Sequence, residues 1–537
     1  MSQVNLKKTN SMTWLLPAMM LALVLLLPLG VHGAAPGITG PTFNLIASTA
    51  FLNEPDGSTV YSWGYGCNGT PSNFAPSTIT HPFCNSMQIP GPTLIVTEGQ
   101  TVTVNLQNGL PTSAGNTSIL FPGFQVSTTG GVAGLLTQEA APGGTVSYTF
   151  TASSPGTRSY YSGTQGDLQV EMGLFGAIIV LPAHVPGVCS AGLPATNPGA
   201  NKTAQSTWGE TDFRLAASAY DHDKTCYDRE YLFQFSEMDA NIHNQAYAQV
   251  NDPVRIAACQ VGPTAPGCSL QVPTEPYHPS YFMINGRSMP DDMDPNYALE
   301  YPHQPYNGDP HMHPGEMVLL RVIGQGRWQH PFHEHANHVR ILARDGNLIL
   351  SQGDPESLAG RLEFTTTTTP GQAFDGIFYF TGRGLNWDMY GHELKTSTDP
   401  NANLTCTPDV NGYNTGAPTK INYFEWCQDH NKPLQVAPFG DVAAGGPITL
   451  PDPDIFTNGN WYSGSPYLGP DATTRATGPT STFLPSNAQA NPANERGWAF
   501  MWHSHNEREI TTNNLFPGGM FMMMLVDSRE FVIDEQN

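Results

Sequence analysis

Positive charge is scarce in this chain of 537 residues: 22 Lys and Arg stand against 45 Asp and Glu, for a net charge of −23. A polyanionic duplex or an anionic membrane surface would repel such a chain, which argues against a nucleic-acid partner. The acidity suits cationic substrates or metal ions, and equally a self-repelling soluble surface. Charged residues of either sign make up only 12% of the chain, and long amphipathic helical patterns are hard to find. Apolar runs are short, with one exception near the N-terminus, so no other segment is long enough to span a bilayer. The chain has no Cys-x-x-Cys and no cysteine beside a histidine, which argues against a metal-thiolate site.

Turn residues are plentiful, with 54 Gly and 47 Pro. They punctuate short runs rich in Val, Ile, Thr, Tyr and Phe, the pattern of an all-β protein built from sandwiches or barrels. The length implies two or three domains. Lys7 and Lys8 precede the apolar run from Trp14 to Val31, and Gly33, Ala34 and Ala35 follow it. This charged, apolar, small-residue order predicts an export signal over residues 1–34 and a periplasmic, cell-surface or extracellular protein; an uncleaved membrane anchor is the alternative. Eight cysteines fit an oxidising compartment. Pairing nearest neighbours gives Cys67 with Cys84, Cys189 with Cys226, Cys259 with Cys268, and Cys406 with Cys427, one of many connectivities open to eight cysteines.

The chain contains an internal repeat. The first copy opens on Pro90-Gly91-Pro92-Thr93 and Glu98-Gly99-Gln100, which lead into a strand over Thr101–Leu106. Strands are expected over Thr117–Val126, Thr145–Thr151 and Gly176–Leu181, with Tyr160-Tyr161-Ser162-Gly163 before the last. The second copy keeps this order from Pro314-Gly315-Glu316 through His330-Pro331-Phe332-His333-Glu334-His335 and Pro370-Gly371-Gln372 to Trp502-His503-Ser504-His505 and Met520–Val526. Each copy reads as a Greek-key sandwich of strands with period-two alternation. The expected domains are 35–190 and 205–537. The second carries an insertion at about 385–495, rich in Asn, Pro, Gly, Thr and Asp; loops of that length usually carry function or interactions.

Two histidine clusters lie in the second copy, His330-x-x-His333-x-His335 and His503-x-His505. Residues i and i+2 of a strand point to one face, so each His-x-His forms a same-face pair. If the two strands are neighbours, four imidazoles converge. Imidazole clusters suit copper, zinc, nickel or iron, and copper binds nitrogen sites most tightly. The alternative is a hydrogen-bonded relic without metal. The same alternation turns Glu334 to the other face, and the spacing brings Glu507 and Glu509 towards the rim. His311-Met312-His313 and His338 read as solvated or structural. Met520, Met522 and Met524 share a strand face; thioethers bind copper(I), but flexible core filling is the simpler account.

His330-Pro331-Phe332-His333-Glu334-His335 resembles the His-Pro-x-His-x-His motif of the multicopper oxidases, and His503-Ser504-His505 resembles their His-Cys-His. Pro90-Gly91-Pro92-Thr93, Asn285-Gly286-Arg287 and Pro370-Gly371-Gln372 extend the likeness over nearly the whole mature chain. The resemblance implies tandem cupredoxin-like Greek-key β-sandwich domains in an all-β fold. The two-copy layout is more similar to two-domain members, which often form trimers, so a homo-oligomer is expected. It also implies lost ligands. Ser504 stands where the type 1 blue copper takes its thiolate, and a hydroxyl does not replace that soft ligand. Asn506-Glu507-Arg508-Glu509 stands where a second type 1 histidine belongs. Met520 occupies a Gly-Met position similar to the axial ligand. The two first-domain His-x-His pairs of the trinuclear cluster fall at Leu120-Phe121-Pro122 and Tyr161-Ser162-Gly163, so Leu120, Pro122, Tyr161 and Gly163 are degenerate ligand positions.

What remains is His333, His335, His503 and His505, with His330 nearby: enough for one copper ion, or two, but not for the four-copper reduction of oxygen. Three functions follow from this set: a copper-dependent oxidoreductase without a blue site, with a small-molecule reductant or oxygen as partner at an open coordination position, a copper-handling protein without turnover, or a structural or surface-assembly protein on a scaffold whose chemistry is lost.

Overall fold

A computed structural model describes residues 35–71, 73–75, 84, 86–190, 213–381, 407–416, 424, 426, 464–467, 497–527 and 533. The export signal expected over residues 1–34, Cys406, Cys427 and most of the expected insertion lie outside the described residues. Among the described residues no helix is long and apolar enough to cross a membrane.

Period-two alternation builds the first sandwich. In Thr101–Asn108 the residues Val102, Val104 and Leu106 are buried while their neighbours stay partly exposed, and Val146, Tyr148 and Phe150 do the same in Thr145–Thr151. These strands pair antiparallel, Val104 opposite Tyr148. The resulting five-stranded sheet, completed by Thr42–Asn53, Thr59–Cys67 and Ser127–Gly130, packs against a second sheet of Gly156–Tyr161, Phe175–Leu181, Gly91–Thr97, Gly37–Thr39 and Phe74–Ala75. Gly143 closes the turn before Thr145–Thr151 with φ +74°, a backbone setting that glycine adopts without strain.

The second sandwich repeats the plan. One sheet runs Tyr281–Ile284, Arg229–Met238, Met317–Gly324, Ala373–Tyr379, Val339–Arg344 and Asn347–Leu348, with Leu362–Glu363 beside Val339–Arg344. The facing sheet runs His311–Met312, Phe521–Asp527, Gly497–Ser504, His330–Glu334 and Thr365–Thr368. Their shared core contains Phe235, Phe332, Phe378 and Trp502 together with Met520, Met522 and Met524. The three methionines are fully buried core filler, so the strand face that invited a copper(I) reading points inward. Tandem cupredoxin-like sandwiches, as expected from the repeat, are the architecture of the chain.

Two local expectations change. Thr117–Val126 is not a strand: its backbone makes only the isolated bridges Thr117 to Ala140 and Leu120 to Tyr161. Pro122 lacks an N–H for a ladder, and Gly123 turns the chain with φ +86°. Two helices, Ala240–Val250 and Pro253–Val261, stand where no helical pattern was expected. Asp239 and Asp252 cap them by accepting from Asn241 N and Val254 N, and Pro253 occupies the first turn, where a missing N–H costs nothing. Ile242 and Ala246 of the first helix pack into the core of the first sandwich. Disulfides join Cys67 to Cys84, Cys189 to Cys226 and Cys259 to Cys268, as nearest-neighbour pairing expects.

Candidate metal centre

Strands His330–Glu334 and Gly497–Ser504 are antiparallel neighbours with His333 directly opposite His503. That register brings all four histidines of the two His-x-His pairs to one face. Ring centres of His333 and His335 are 4.9 Å apart, His333 and His503 5.6 Å, His333 and His505 5.0 Å, and His335 and His503 5.2 Å. His503 Nε2 lies 3.3 Å from His335 Nε2. An ion with nitrogen bonds of about 2.0 Å and tetrahedral angles sets its ligand nitrogens about 3.3 Å apart. The same spacing also fits a hydrogen bond between two neutral imidazoles.

The outer nitrogens are anchored. His503 Nδ1 lies 2.8 Å from the carbonyl of Ser504, and His333 Nδ1 lies 2.7 Å from Thr365 Oγ1. Such contacts fix the ring orientation and assign Nε2 to the cluster. Burial, with the charges that His503 and His505 would carry, pushes His333 down to about 4; burial is also the main cause that lowers His503. Both therefore stay neutral, the ligating form. His505 is the open side: its side chain is 53% exposed, with Glu507 3.6 Å away.

The donor set fits a nitrogen-preferring ion such as copper. The cage is not ready-made, however. The rings mostly meet edge to face, and among the described residues no three His, Cys, Asp or Glu side chains converge on a common point for a metal. Side-chain rotation would have to complete the arrangement.

His330 is not part of this cluster. It is completely buried, and both of its nitrogens hold carboxylates: Nε2 meets Glu237 Oε2 at 3.0 Å and Nδ1 meets Glu509 Oε2 at 2.9 Å. Burial alone would lower its pKa, but the two carboxylates outweigh burial and raise it to about 9. His330 is thus an imidazolium donating in both directions, and a cation with both nitrogens occupied cannot ligate a metal. Ser504 donates its hydroxyl to Glu509 Oε2, and Asn506 Nδ2 donates to Glu509 Oε1 at 2.8 Å. Met520 closes the ring through its backbone, donating N–H to Glu509 and accepting from Ser504. The type 1 pocket expected from the resemblance is therefore filled by an internal ion triad, Glu237–His330–Glu509. The network continues away from the pocket: Tyr277 Oη lies 3.2 Å from Glu237 Oε1 and 2.6 Å from Glu171 Oε2.

This overturns the placement of Glu509 at a rim; it is buried at the pocket's centre, while Glu507 is the exposed one. Glu237 was missed, because it lies 93 residues before His330 and a lone Glu in an apolar strand carries no motif. Glu334 does face away from the histidines: Thr366 donates to it at 2.7 Å, and burial raises it to about 8. His311 is held by Asp527 at 2.7 Å and Asp309 at 3.2 Å. Burial opposes its protonation, but the two carboxylates prevail and raise its pKa well above the usual value, which makes it structural.

The degenerate first-sandwich positions offer no nitrogen donors. Leu120 and Tyr161 are bridge partners, and the Leu120 side chain covers Gly163, where an added Cβ would fall 2.8 Å from Leu120 Cγ. Leu120, Tyr161 and Gly163 line a cavity of about 290 Å³ to which the second sandwich contributes Gln325, Gly326, Pro370 and Gly371 rather than any of the four histidines. Ser504→Cys alone is expected to give no intense blue absorption with copper, because Glu509 fills the second histidine's place and Glu237 holds His330; an intense blue band would refute this.

Paired sandwiches with His-x-His pairs on neighbouring strands define a cupredoxin-type protein. Residues 73–184 match the family model described as multicopper oxidase. That match covers part of the first sandwich, and the tandem sandwiches give the chain a cupredoxin-like fold. Among solved structures it is similar to the multicopper oxidase mgLAC, at 15% identity over 90% of this chain and 86% of that one, with a TM-score of 0.43. It is also similar to a blue copper oxidase from Nitrosomonas europaea, at 14% identity over 90% and 85%, TM-score 0.43. The copper nitrite reductase of Nitrosomonas europaea aligns at 19% identity over 64% and 84%, TM-score 0.35. None of the curated proteins matches at a significant level.

Proposed function

We propose that this is an exported copper-binding protein that holds one non-blue copper ion through His333, His335, His503 and His505 and does not run four-copper oxygen reduction. The observation that carries the reading is the register of His333 opposite His503, which gathers four imidazoles on one face with the outer nitrogens of His333 and His503 anchored. When bound, copper would supply a redox-active ion with an open side at the exposed His505, the arrangement a copper-dependent oxidoreductase or a copper handler needs. The residues argue against the four-copper route on two counts. The electron-accepting pocket is closed by Glu237, His330 and Glu509, and the first sandwich presents Leu120, Tyr161 and Gly163 where nitrogen donors would be required.

The test is metal content after copper loading, with an electron paramagnetic resonance spectrum of the same sample. About one copper per chain with a non-blue signal is expected. The double variant His333→Ala, His505→Ala should lose that copper, at least tenfold in affinity as removal of even supporting groups costs, while keeping its far-ultraviolet circular dichroism. Stoichiometric copper in the double variant would remove these histidines from the site. An absence of copper in the native protein would favour the second reading, a structural protein on a scaffold that no longer needs metal. One observation speaks for that reading: His330 already occupies the old pocket as the cation between Glu237 and Glu509 without an ion.

A further inference from the structure

The outer face of the seven-stranded sheet is covered by the segment that follows the first sandwich. Ala219, Tyr220 and Tyr227 pack there on Leu319, Leu342 and Ile377. At the edge of this cover a cavity of about 410 Å³ remains open. Its walls are apolar: Met317, Leu342, Leu358 and Ile377. Lys224 and Arg340 also line it, and no Asp or Glu does. In a protein with a net charge of −23, a pocket with two cations and no acid selects for a negative group.

The turn that carries Lys224 is held in place, and the Arg340 guanidinium is oriented directly. Lys224 sits in the turn Asp223–Thr225, beside Cys226, which the disulfide to Cys189 pins; Thr225 Oγ1 ties the same turn to the carbonyls of Tyr220 at 3.1 Å and His222 at 2.8 Å. Arg340 donates one guanidinium nitrogen to Gly360 O at 2.8 Å, which orients the rest of the group. Asp354, whose charge reaches Lys224, is itself bound by Ser357 Oγ at 2.6 Å and Glu356 N at 3.2 Å. The size falls in the range of small-molecule sites, about 300–1,000 Å³, and so does the composition of apolar walls with a few polar groups. His338 and Tyr379 add aromatic surface.

We propose that this cavity is a binding site for an aryl carboxylate, with the ring against the Leu342 and Ile377 wall and the carboxylate between Lys224 and Arg340. The proposal does not rest on copper binding, since none of the four histidines lines the cavity. Its position is nevertheless close to them: the His338 ring lies 5.0 Å from Phe364, and Phe364 lies 5.6 Å from His333.

The test uses 2-naphthoate and its uncharged counterpart 2-naphthamide as probes of the full-length protein, by calorimetry and by the methyl signal of Met317 in protein labelled at methionine. Saturable binding of 2-naphthoate is expected, with a Met317 shift and with the amide at least tenfold weaker. Lys224→Gln, a change at an exposed side chain, and Arg340→Gln should each weaken the carboxylate at least fivefold and leave the amide unchanged. The His333→Ala, His505→Ala variant should bind 2-naphthoate as the native protein does. Equal affinities for acid and amide would show an apolar groove without anion selection and overturn the proposal. So would an unchanged affinity in Lys224→Gln, an unmoved Met317 signal, or no saturable binding.

Discussion

Replacing His330 with leucine should destabilise the second sandwich by about 3–5 kcal/mol, the usual result of breaking a buried ion pair by removing one partner. His330 is fully buried between Glu237 and Glu509, so its loss strands two carboxylates that have no access to water. The triple replacement of His330, Glu237 and Glu509 by apolar residues of similar volume should recover only part of the loss: it removes the unpaired charge but takes the acceptor from the Arg327 and Trp328 amides and from Ser504 and Asn506. The pH dependence has a definite sign. The folded pKa of His330 is raised to about 9 from an ordinary value near 6.5. Its contribution is therefore complete below about pH 6.5, shrinks as the pH rises through 9, and is absent above it, a change of about 3 kcal/mol by linkage. Urea unfolding followed through Trp502 fluorescence at pH 6 and pH 9.5 measures both effects. A His330→Leu protein as stable as the native one, or a native protein indifferent to this pH range, would show that the triad carries no such energy.

The same triad marks where the sequence stopped being informative. The pairs His333 with His335 and His503 with His505 were legible because strand periodicity is local: residues two apart share a face whatever the rest of the chain does. That the two pairs meet depended on strand adjacency, which the repeat and the family resemblance suggested and the register of His333 with His503 displays. Glu509 was visible as a departure from the pattern, but its burial was not, because a charged residue in a loop is ordinarily solvated and only a hidden countercharge makes the interior tolerable. That countercharge depends on Glu237 as well, from a strand far away in sequence. Local chemistry also corrected local expectation. Pro122 and Gly123 break what alternation alone suggested as a strand, and the capping residues Asp239 and Asp252 start helices whose apolar faces are too short to stand out. The methionine run was ambiguous by composition; packing of Met520, Met522 and Met524 against Phe500 and Trp502 decides it as core.

Asp375 should be the second most sensitive position, because it is where the two sandwiches and the segment between them share one buried carboxylate. Thr157 of the first sandwich donates its N–H at 3.1 Å and its hydroxyl at 2.6 Å, and Tyr220 of the connecting segment donates its phenol. Arg321 of the second sandwich lies 3.7 Å away and is held by Glu230 at 2.8 Å. Close approach at this point requires Gly156, where a Cβ would fall 2.8 Å from Gly346 Cα. Asp375→Leu would leave three donors without an acceptor and an arginine with reduced compensation in a dry interface. The expected cost is about 3–5 kcal/mol. Asp375→Asn keeps one carbonyl acceptor and the shape, so it should cost less, about 1–2 kcal/mol. Hydrogen exchange at the Thr157 amide reads the contact directly: protection should fall steeply in Asp375→Leu and modestly in Asp375→Asn. If the Thr157 amide kept native protection in the leucine variant, the sandwiches would be held together by their apolar contact at Ile179, Leu232 and Ile323 rather than by this carboxylate.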